Sequence, residues 1–304
     1  MEKHLFLRIE ERKEKMSKGQ KLIANYIEEH YDKTAFMTAS KLGDTVGVSE
    51  STVVRFANEI GYDGYPKLQK AMQEMIRDKL TSIQRIEVTA NRVNKDRVLD
   101  TVLNQDIDKI KVTLEETSRD DFDKAVKAIV NAKNIYIFAV RSSAALANFM
   151  GYYLDQMFGN VHVVSTTSKI EIYEKLIHIN KEDVIIGISF PRYSKTAVEA
   201  MKFASDRHAS VIALTDSMVS PLIGPADYVL LARSDMVSLV DSLVAPLSMI
   251  NAILVATVLH KKESITDTFR QLEQVWDVYD VYAKTSELDY DEIYSKNIKI
   301  DKEE

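Results

Sequence analysis

The 304-residue chain contains no cysteine. That excludes disulfides and thiolate metal sites, and it fits a reducing compartment. Glycine (9) and proline (5) are scarce, which excludes collagen-like and low-complexity disordered classes. The opening run MEKHLFLRIEERKEK has no long apolar core, so it does not read as a secretory signal, and a cytoplasmic location is expected. A strong positive excess is also missing, since the net charge is −6. Residues 1–80 hold 14 Lys+Arg and 13 Asp+Glu, and the remainder holds 26 and 33. Any nucleic-acid contact must therefore come from a local arrangement of cations. Metal-ligand spacings, nucleotide loops and nucleophile motifs do not occur, so no metal, cofactor or catalytic group is expected.

Long apolar runs are rare, with one instructive exception. From Ser242 to Leu259 no residue is charged, close to the roughly 18 residues that suggest a membrane span. Pro246, Ser248, Asn251 and Thr257 interrupt the run, and Asp241 stands before it. It reads as a helix buried in protein, not as a span. The apolar stretch Leu239–Leu259 exceeds what one sheet face needs, so self-association as a homodimer or higher homo-oligomer is expected, with no membrane partner.

What is present divides the chain into two folded parts. Residues 1–80 read as a helical domain. A helix is expected from Lys18 to Tyr31, with Leu22, Ile23, Tyr26 and Ile27 inside. A second follows Thr38, with Ala39, Leu42 and Val46 on one face. Gly47 suits a left-handed helix end, and Ser49 is placed to cap the next helix through its hydroxyl. That helix ends at Gly61. Another amphipathic helix is expected from Lys67 to about Leu80. Residues 81–118 read as a helical linker, with Val98, Val102, Ile107, Ile110 and Leu114 forming one apolar stripe for docking.

Residues 119–286 have a different rhythm. Short apolar runs at 134–140, 161–164, 183–189, 210–216 and 227–232 alternate with helical segments near 142–158, 167–179, 195–208 and 217–224. That alternation implies an α/β domain, a five-stranded parallel sheet flanked by helices. Residues 287–304 form a charged tail.

The stretch VSESTVVRFANEIGYDGYPKL carries the first functional signal. Val53, Phe56, Ala57 and Ile60 repeat at the spacing of a packed helix face. Ser49, Ser51, Thr52 and Arg55 lie on the other side. Two short helices joined by a Gly-Val turn form a helix-turn-helix, whose second helix enters the major groove. Hydroxyls at its leading end suit phosphates, and Arg55 suits a guanine edge or a phosphate. Tyr65, Lys67 and Lys70 follow as expected phosphate clamps, while Glu50 and Glu59 would repel phosphate if they faced it. The run TASKLGDTVGVSESTVVRFANEIGYDGYPKLQ resembles the N-terminal domain of the RpiR family of bacterial transcriptional regulators, from about Gln20 to Leu80. Its partner in that family is a sugar isomerase (SIS) domain that binds phosphosugars, and the α/β pattern after residue 130 suits it.

A second signal lies at the strand ends. In an open parallel sheet, ligands sit beyond the carboxyl ends of the strands, beside helix N-termini. FAVRSSAAL places Arg141, Ser142 and Ser143 there, and GISFPRYSKTAVEA places Ser189, Arg192, Ser194 and Lys195. Hydroxyls, free N–H groups and three cations make an anion site. Asp216 and Ser217, at a third strand end, read as helix caps. Glu171, His178 and His208 read as ordinary surface residues. The SIS resemblance implies a Gly-x-Gly-x-Ser-type first loop and a Ser-x-Ser-Gly-x-Thr-type second loop. Here the first reads Ala139-Val140-Arg141-Ser142-Ser143, without those glycines. In the second, Ser189 matches the opening serine, Pro191 replaces the middle serine, Arg192 replaces the glycine, and Ser194 takes the place of the closing hydroxyl. The expected function is a regulator that binds double-stranded operator DNA under the control of a phosphosugar-like effector. The alternative is a sugar-phosphate isomerase with an accessory helical domain.

Overall fold

Ser17 opens a long helix with a reciprocal capping box. Its hydroxyl accepts from the Gln20 amide, and the Gln20 side chain accepts from the Ser17 amide at 2.8 Å. In the computed structural model, which describes residues 5–76, 83, 85, 86, 89, 95–234 and 240–282, this helix belongs to an all-helical N-terminal domain. Its elements are α1 (Leu5–Arg12), α2 (Lys18–Thr34), α3 (Ala39–Val46), α4 (Glu50–Glu59) and α5 (Gly64–Ile76). Their apolar faces close on one core, in which Ile9, Ile23, Ile27, Leu42, Val53, Phe56 and Leu68 are fully buried. Leu22, expected inside, is instead 43% exposed. The buried stripe of α2 is centred on Ile23, Ala24 and Ile27, and Leu22 falls one step of about 100° off it. Helix α5 starts at Gly64, ahead of the expected Lys67. Its expected end near Leu80, most of the EVTANRVNKD linker and the 287–304 tail lie outside the described residues.

The turn between α3 and α4 depends on two glycines. Gly47 sits at φ +78°, the left-handed conformation expected of it. The Gly43 carbonyl accepts from both the Gly47 and Val48 amides at 2.9 Å, which folds the turn back onto α3. A Cβ on Gly43 would stand 2.7 Å from the Val48 carbonyl oxygen, a backbone atom that cannot step aside. Gly→Ala in a free helix gains about 1 kcal/mol. Here the sign should reverse, with Gly43→Ala costing about 1–3 kcal/mol in urea denaturation followed by circular dichroism. A stabilised variant would show that the turn relaxes.

The second domain is entered through α6 (Val98–Glu116) and α7 (Arg119–Asn131). There follow β1 (Ile135–Ala139), α8 (Ala144–Phe158), β2 (Val161–Val164), α9 (Lys169–Leu176), β3 (Val184–Ile188), α10 (Lys195–Ser205), β4 (Ser210–Thr215), β5 (Tyr228–Leu231), α11 (Val244–His260) and α12 (Lys262–Val278). All pairings are parallel, in the order β2-β1-β3-β4-β5. Alternation along β1 divides the core into two layers. Ile135, Ile137 and Ala139 face the layer of α7, α8 and α11, and Tyr136 and Phe138 face α9 and α10. The α/β expectation holds, with two corrections.

The segment 217–224 is not a helix. It is a chain of turns closed by the Ser220 amide on Ser217, Ile223 on Ser220 and Ala226 on Ile223. Pro221, Gly224 and Pro225 forbid a regular helix there. Second, α6 docks by its polar face, not by the expected stripe. Thr113 accepts from the Arg233 amide at 2.9 Å, Thr117 donates to the Leu231 carbonyl at 3.3 Å, Ser242 donates to Asp106 at 2.6 Å, and Arg233 pairs with Glu116 at 2.6 Å. Of the expected stripe, Val98, Ile107, Ile110 and Leu114 are left on the outside and Val102 is half-buried, and Leu99 and Leu103 are exposed beside them. Of the apolar run, Ala245, Pro246, Met249, Ile250, Ile253 and Leu254 of α11 are buried against the domain. Among the described residues no single helix is long and apolar enough to cross a membrane.

Candidate functional sites

Helix α4 presents its polar side outward because Val53, Phe56 and Ala57 hold the other side in the core. Ser49, Ser51 and Arg55 are exposed, and Thr52 is half-buried. Ser49 does not cap α4 through its side chain as expected. Its hydroxyl shares hydrogen bonds with those of Ser51 and Thr52, both at 2.9 Å, so three hydroxyls form one cluster at the leading end. Arg55 donates from Nε to the Ser51 carbonyl at 3.2 Å, which brings its guanidinium back toward that cluster. Lys67 and Lys70 are exposed on α5.

Tyr65 is misassigned by the sequence pattern. It is 4% exposed, and its hydroxyl donates to the Met37 carbonyl at 2.9 Å. Burial pushes its phenol pKa well up. Gln69 and Gln73, one and two turns along α5, donate to the Met37 and Ala35 carbonyls, both at 2.7 Å. The three side chains form a row that braces the chain after α2, so Tyr65 is a core residue and not a phosphate clamp. Two cations of α1 were missed by the sequence reading. Arg12 pairs with Glu59 at 3.4 Å, and Arg8 donates to the Gly61 carbonyl at 3.1 Å and lies 4.7 Å over the Tyr62 ring. Arg12 offsets the Glu59 carboxylate beside the outward face of α4. The opening run is nearly balanced in charge, with five Lys+Arg and four Glu in residues 1–15, so composition did not point to these two arginines.

The second site follows from the strand order. The chain leaves β1 toward one edge of the sheet and β3 toward the other, so a crevice opens between their carboxyl ends. A cleft of about 710 Å³ lies there. Arg141 enters it from the end of β1. Arg192, Tyr193, Ser194 and Lys195 come from the loop after β3, Val198 and Glu199 from the first turns of α10, and Pro221 forms another wall. Thus Arg141, Arg192, Ser194 and Lys195 meet as expected, whereas Ser142, Ser143 and Ser189 do not line the cleft. Ser142 is exposed beside it, and Ser143 is 8% exposed. Ser189, 5% exposed, accepts from the Ser194 amide at 3.2 Å, and its carbonyl accepts from Thr215 at 2.9 Å. It braces the loop from below. Ser194 shares a 2.6 Å hydrogen bond with Thr196 and leaves α10 without a side-chain cap. Asp216 and Ser217 cap no helix, since none follows. Fully buried Asp216 accepts from the Tyr193 hydroxyl at 2.8 Å and fixes the cleft wall.

Arg141 and Arg192 have φ of +60° and +65°. Both stand where the SIS-type loops carry glycine, and both keep the backbone conformation that glycine favours. For an L-residue this costs about 1–2 kcal/mol. At each position the glycine variant should therefore be more stable than the alanine variant, by about 1 kcal/mol in paired urea titrations. Equal midpoints would mean that the loops relax. The cleft is cationic: among the described residues lining it, Arg141, Arg192 and Lys195 face one carboxylate, Glu199. Glu199 pairs with Lys169 at 2.8 Å, and that hydrogen bond holds the Lys169 ammonium pKa above its usual range.

Both parts of the chain resemble known proteins. Residues 3–79 match the model of the helix-turn-helix domain, rpiR family, and residues 128–256 match the SIS domain model. An uncharacterized HTH-type transcriptional regulator of Clostridium perfringens is 26% identical over 229 residues, covering 72% of this chain and 78% of the relative. The sugar isomerase domain of an RpiR transcription factor from Sphaerobacter thermophilus is 28% identical, with TM-score 0.56 over 59% of this chain and 99% of that one. The Vibrio vulnificus NanR protein, solved with ManNAc-6P, has the same fold at 19% identity, with TM-score 0.56 over 92% of this chain and 100% of that one.

Proposed function

Since the chain belongs to the rpiR family of helix-turn-helix regulators, with a SIS domain after the DNA-binding domain, we propose that it is a cytoplasmic transcription factor whose operator affinity is set by a phosphorylated sugar. The observation that carries this reading is the cationic cleft at the sheet's switch point, on the same chain as an outward hydroxyl and arginine helix face. Helix α4 supplies the groove-facing element, with Arg55 at base edges or phosphates and Lys67 and Lys70 on the backbone. The cleft supplies the anion site, where Arg141, Arg192 and Lys195 hold phosphate oxygens and Ser194 adds a hydroxyl. The role is sensing and not turnover.

The functional unit in this reading is a homodimer, because paired half-sites follow protein symmetry. Two exposed apolar faces are available for it: the outer stripe of α6 and the groove between α8 and α11 lined by Phe149, Tyr153, Met157, Leu254, Val255 and Leu259. Sedimentation of the full chain should show at least a dimer at micromolar concentration, and a clean monomer would remove this element.

The direct test is an operator selected from random duplex DNA, followed by anisotropy titrations with and without each of a panel of sugar phosphates. A ligand that prefers one arrangement of the DNA-binding domains should change operator affinity by about 5- to 150-fold. Sugar-phosphate conversion followed by NMR in the same samples separates sensing from isomerisation. Absence of any effect of the whole panel, or conversion without operator binding, would overturn the reading.

A further inference from the structure

We infer that the DNA interface extends beyond α4 onto a second element, the stretch from Arg12 to the first turn of α2, where Lys15 and Lys18 bind operator phosphates on the Thr52 side of α4. This rests on the operator-binding reading and adds contacts that seat α4 in the groove. They are separate from Lys67 and Lys70 of α5.

The first ground is position, which two contacts fix. Arg12 pairs with Glu59, at the end of α4, at 3.4 Å. A Cβ on Gly19 would stand 3.3 Å from Val48 Cγ1 and 3.4 Å from Thr52 Cγ2, at the beginning of α4. Arg12 to Gly19 and Glu59 to Thr52 are equal intervals of sequence, so the stretch runs alongside α4 in the opposite direction, over about 10 Å of its axis. The missing side chain at Gly19 lets α2 start in van der Waals reach of Thr52, a member of the hydroxyl cluster. Lys15 and Lys18 lie within this run, and both are exposed. A helix about 10–12 Å across fills a major groove about 12 Å wide. A group that stands beside the inserted helix therefore meets the phosphates of the groove wall and not the base edges.

The second ground is charge. Residues 12–18 read RKEKMSK, with four cations and one carboxylate, Glu14. Arg12 is committed to Glu59, and Lys13 to Glu28 at 2.9 Å. Lys15 and Lys18 have no ion-pair partner among the described residues, so these two ammonium groups are available to an external anion. Their backbone is held in place. Met16, 5% exposed, plugs into the helical core between them, and the Ser17–Gln20 capping box fixes the start of α2. Two fixed cations lose less freedom on meeting phosphate than cations on a loose arm would.

The test uses the full-length protein, the selected operator and a scrambled duplex of equal length, in anisotropy titrations over a range of salt. Lys15→Ala and Lys18→Ala should each weaken both duplexes by about 3- to 10-fold near 0.1 M salt and lower the salt slope by about 1. The operator-to-scrambled ratio should stay at its wild-type value. Lys21→Ala is the control. It removes the same charge from the same helix, about 160° around from Gly19, and should stay within about twofold of wild type. The chain has no cysteine, so Lys18→Cys creates a unique thiol for a tethered iron–EDTA group. That conjugate should cut the operator backbone at the edge of the half-site. Should an alanine variant misfold, the cleavage map decides alone. Wild-type affinity and slope in either alanine variant, an equal loss in Lys21→Ala, a changed operator preference, or an uncut operator would each overturn this inference and leave operator binding through α4 standing. A wild-type protein that selects no operator would overturn both.

Discussion

Phe56→Ala is expected to abolish operator binding and to leave phosphosugar binding in place. Phe56 is fully buried and belongs to the core shared by α2, α3, α4 and α5. Deleting a buried phenylalanine ring costs about 3–5 kcal/mol, the lost burial plus the cavity left behind. For a domain this small that approaches the whole stability, since folded domains hold about 5–15 kcal/mol and small ones sit near the lower end. The two layers around the C-terminal sheet contain no residue of this core. Calorimetry should therefore show an early transition moved down or lost and a later one unmoved. Titration with the best phosphosugar should match wild type. If both transitions fall together, the two parts of the chain fold as one unit and are not independent domains.

Arg55→Ala is expected to weaken operator binding by about 5- to 150-fold, the 1–3 kcal/mol of one good base contact, at unchanged helicity. The side chain is exposed, and its bond within the protein is a single one to the Ser51 carbonyl, so the fold loses little. The salt dependence separates two roles. A phosphate contact, once lost, reduces the slope of log affinity against log salt by about 1 and weakens all sequences alike. A base contact leaves the slope and relaxes the preference at one operator position. Wild-type affinity in the variant would assign recognition to the hydroxyl cluster of Ser49, Ser51 and Thr52, or to a different face.

The sequence by itself determined the features that arise within a few residues. The outward and inward faces of α4 follow from one helical period, and the left-handed end at Gly47 follows from the residue that tolerates it best. The alternation of strands and helices after residue 130 is written in runs of apolar residues, as is the arrival of Arg141, Arg192, Ser194 and Lys195 at strand ends. Tertiary structure alone decided the partners. Tyr65 has an apolar ring and a polar hydroxyl, and nothing local says that carbonyls after α2 will receive it. Ser189 and Ser194 look alike in the loop, but one lies beneath it as a brace and the other faces the cleft. The apolar stripe of α6 reads as a docking face, yet hydrogen bonds to Leu231, Arg233 and Ser242 turned the polar flank of Asp106, Thr113 and Thr117 inward. The left-handed backbone of Arg141 and Arg192 is likewise set by the loops around them and not by the residues. Periodicity reports which side chains avoid water. It does not report which distant groups will satisfy the polar ones, because hydrogen-bond partners are chosen only when strands and helices have been brought together.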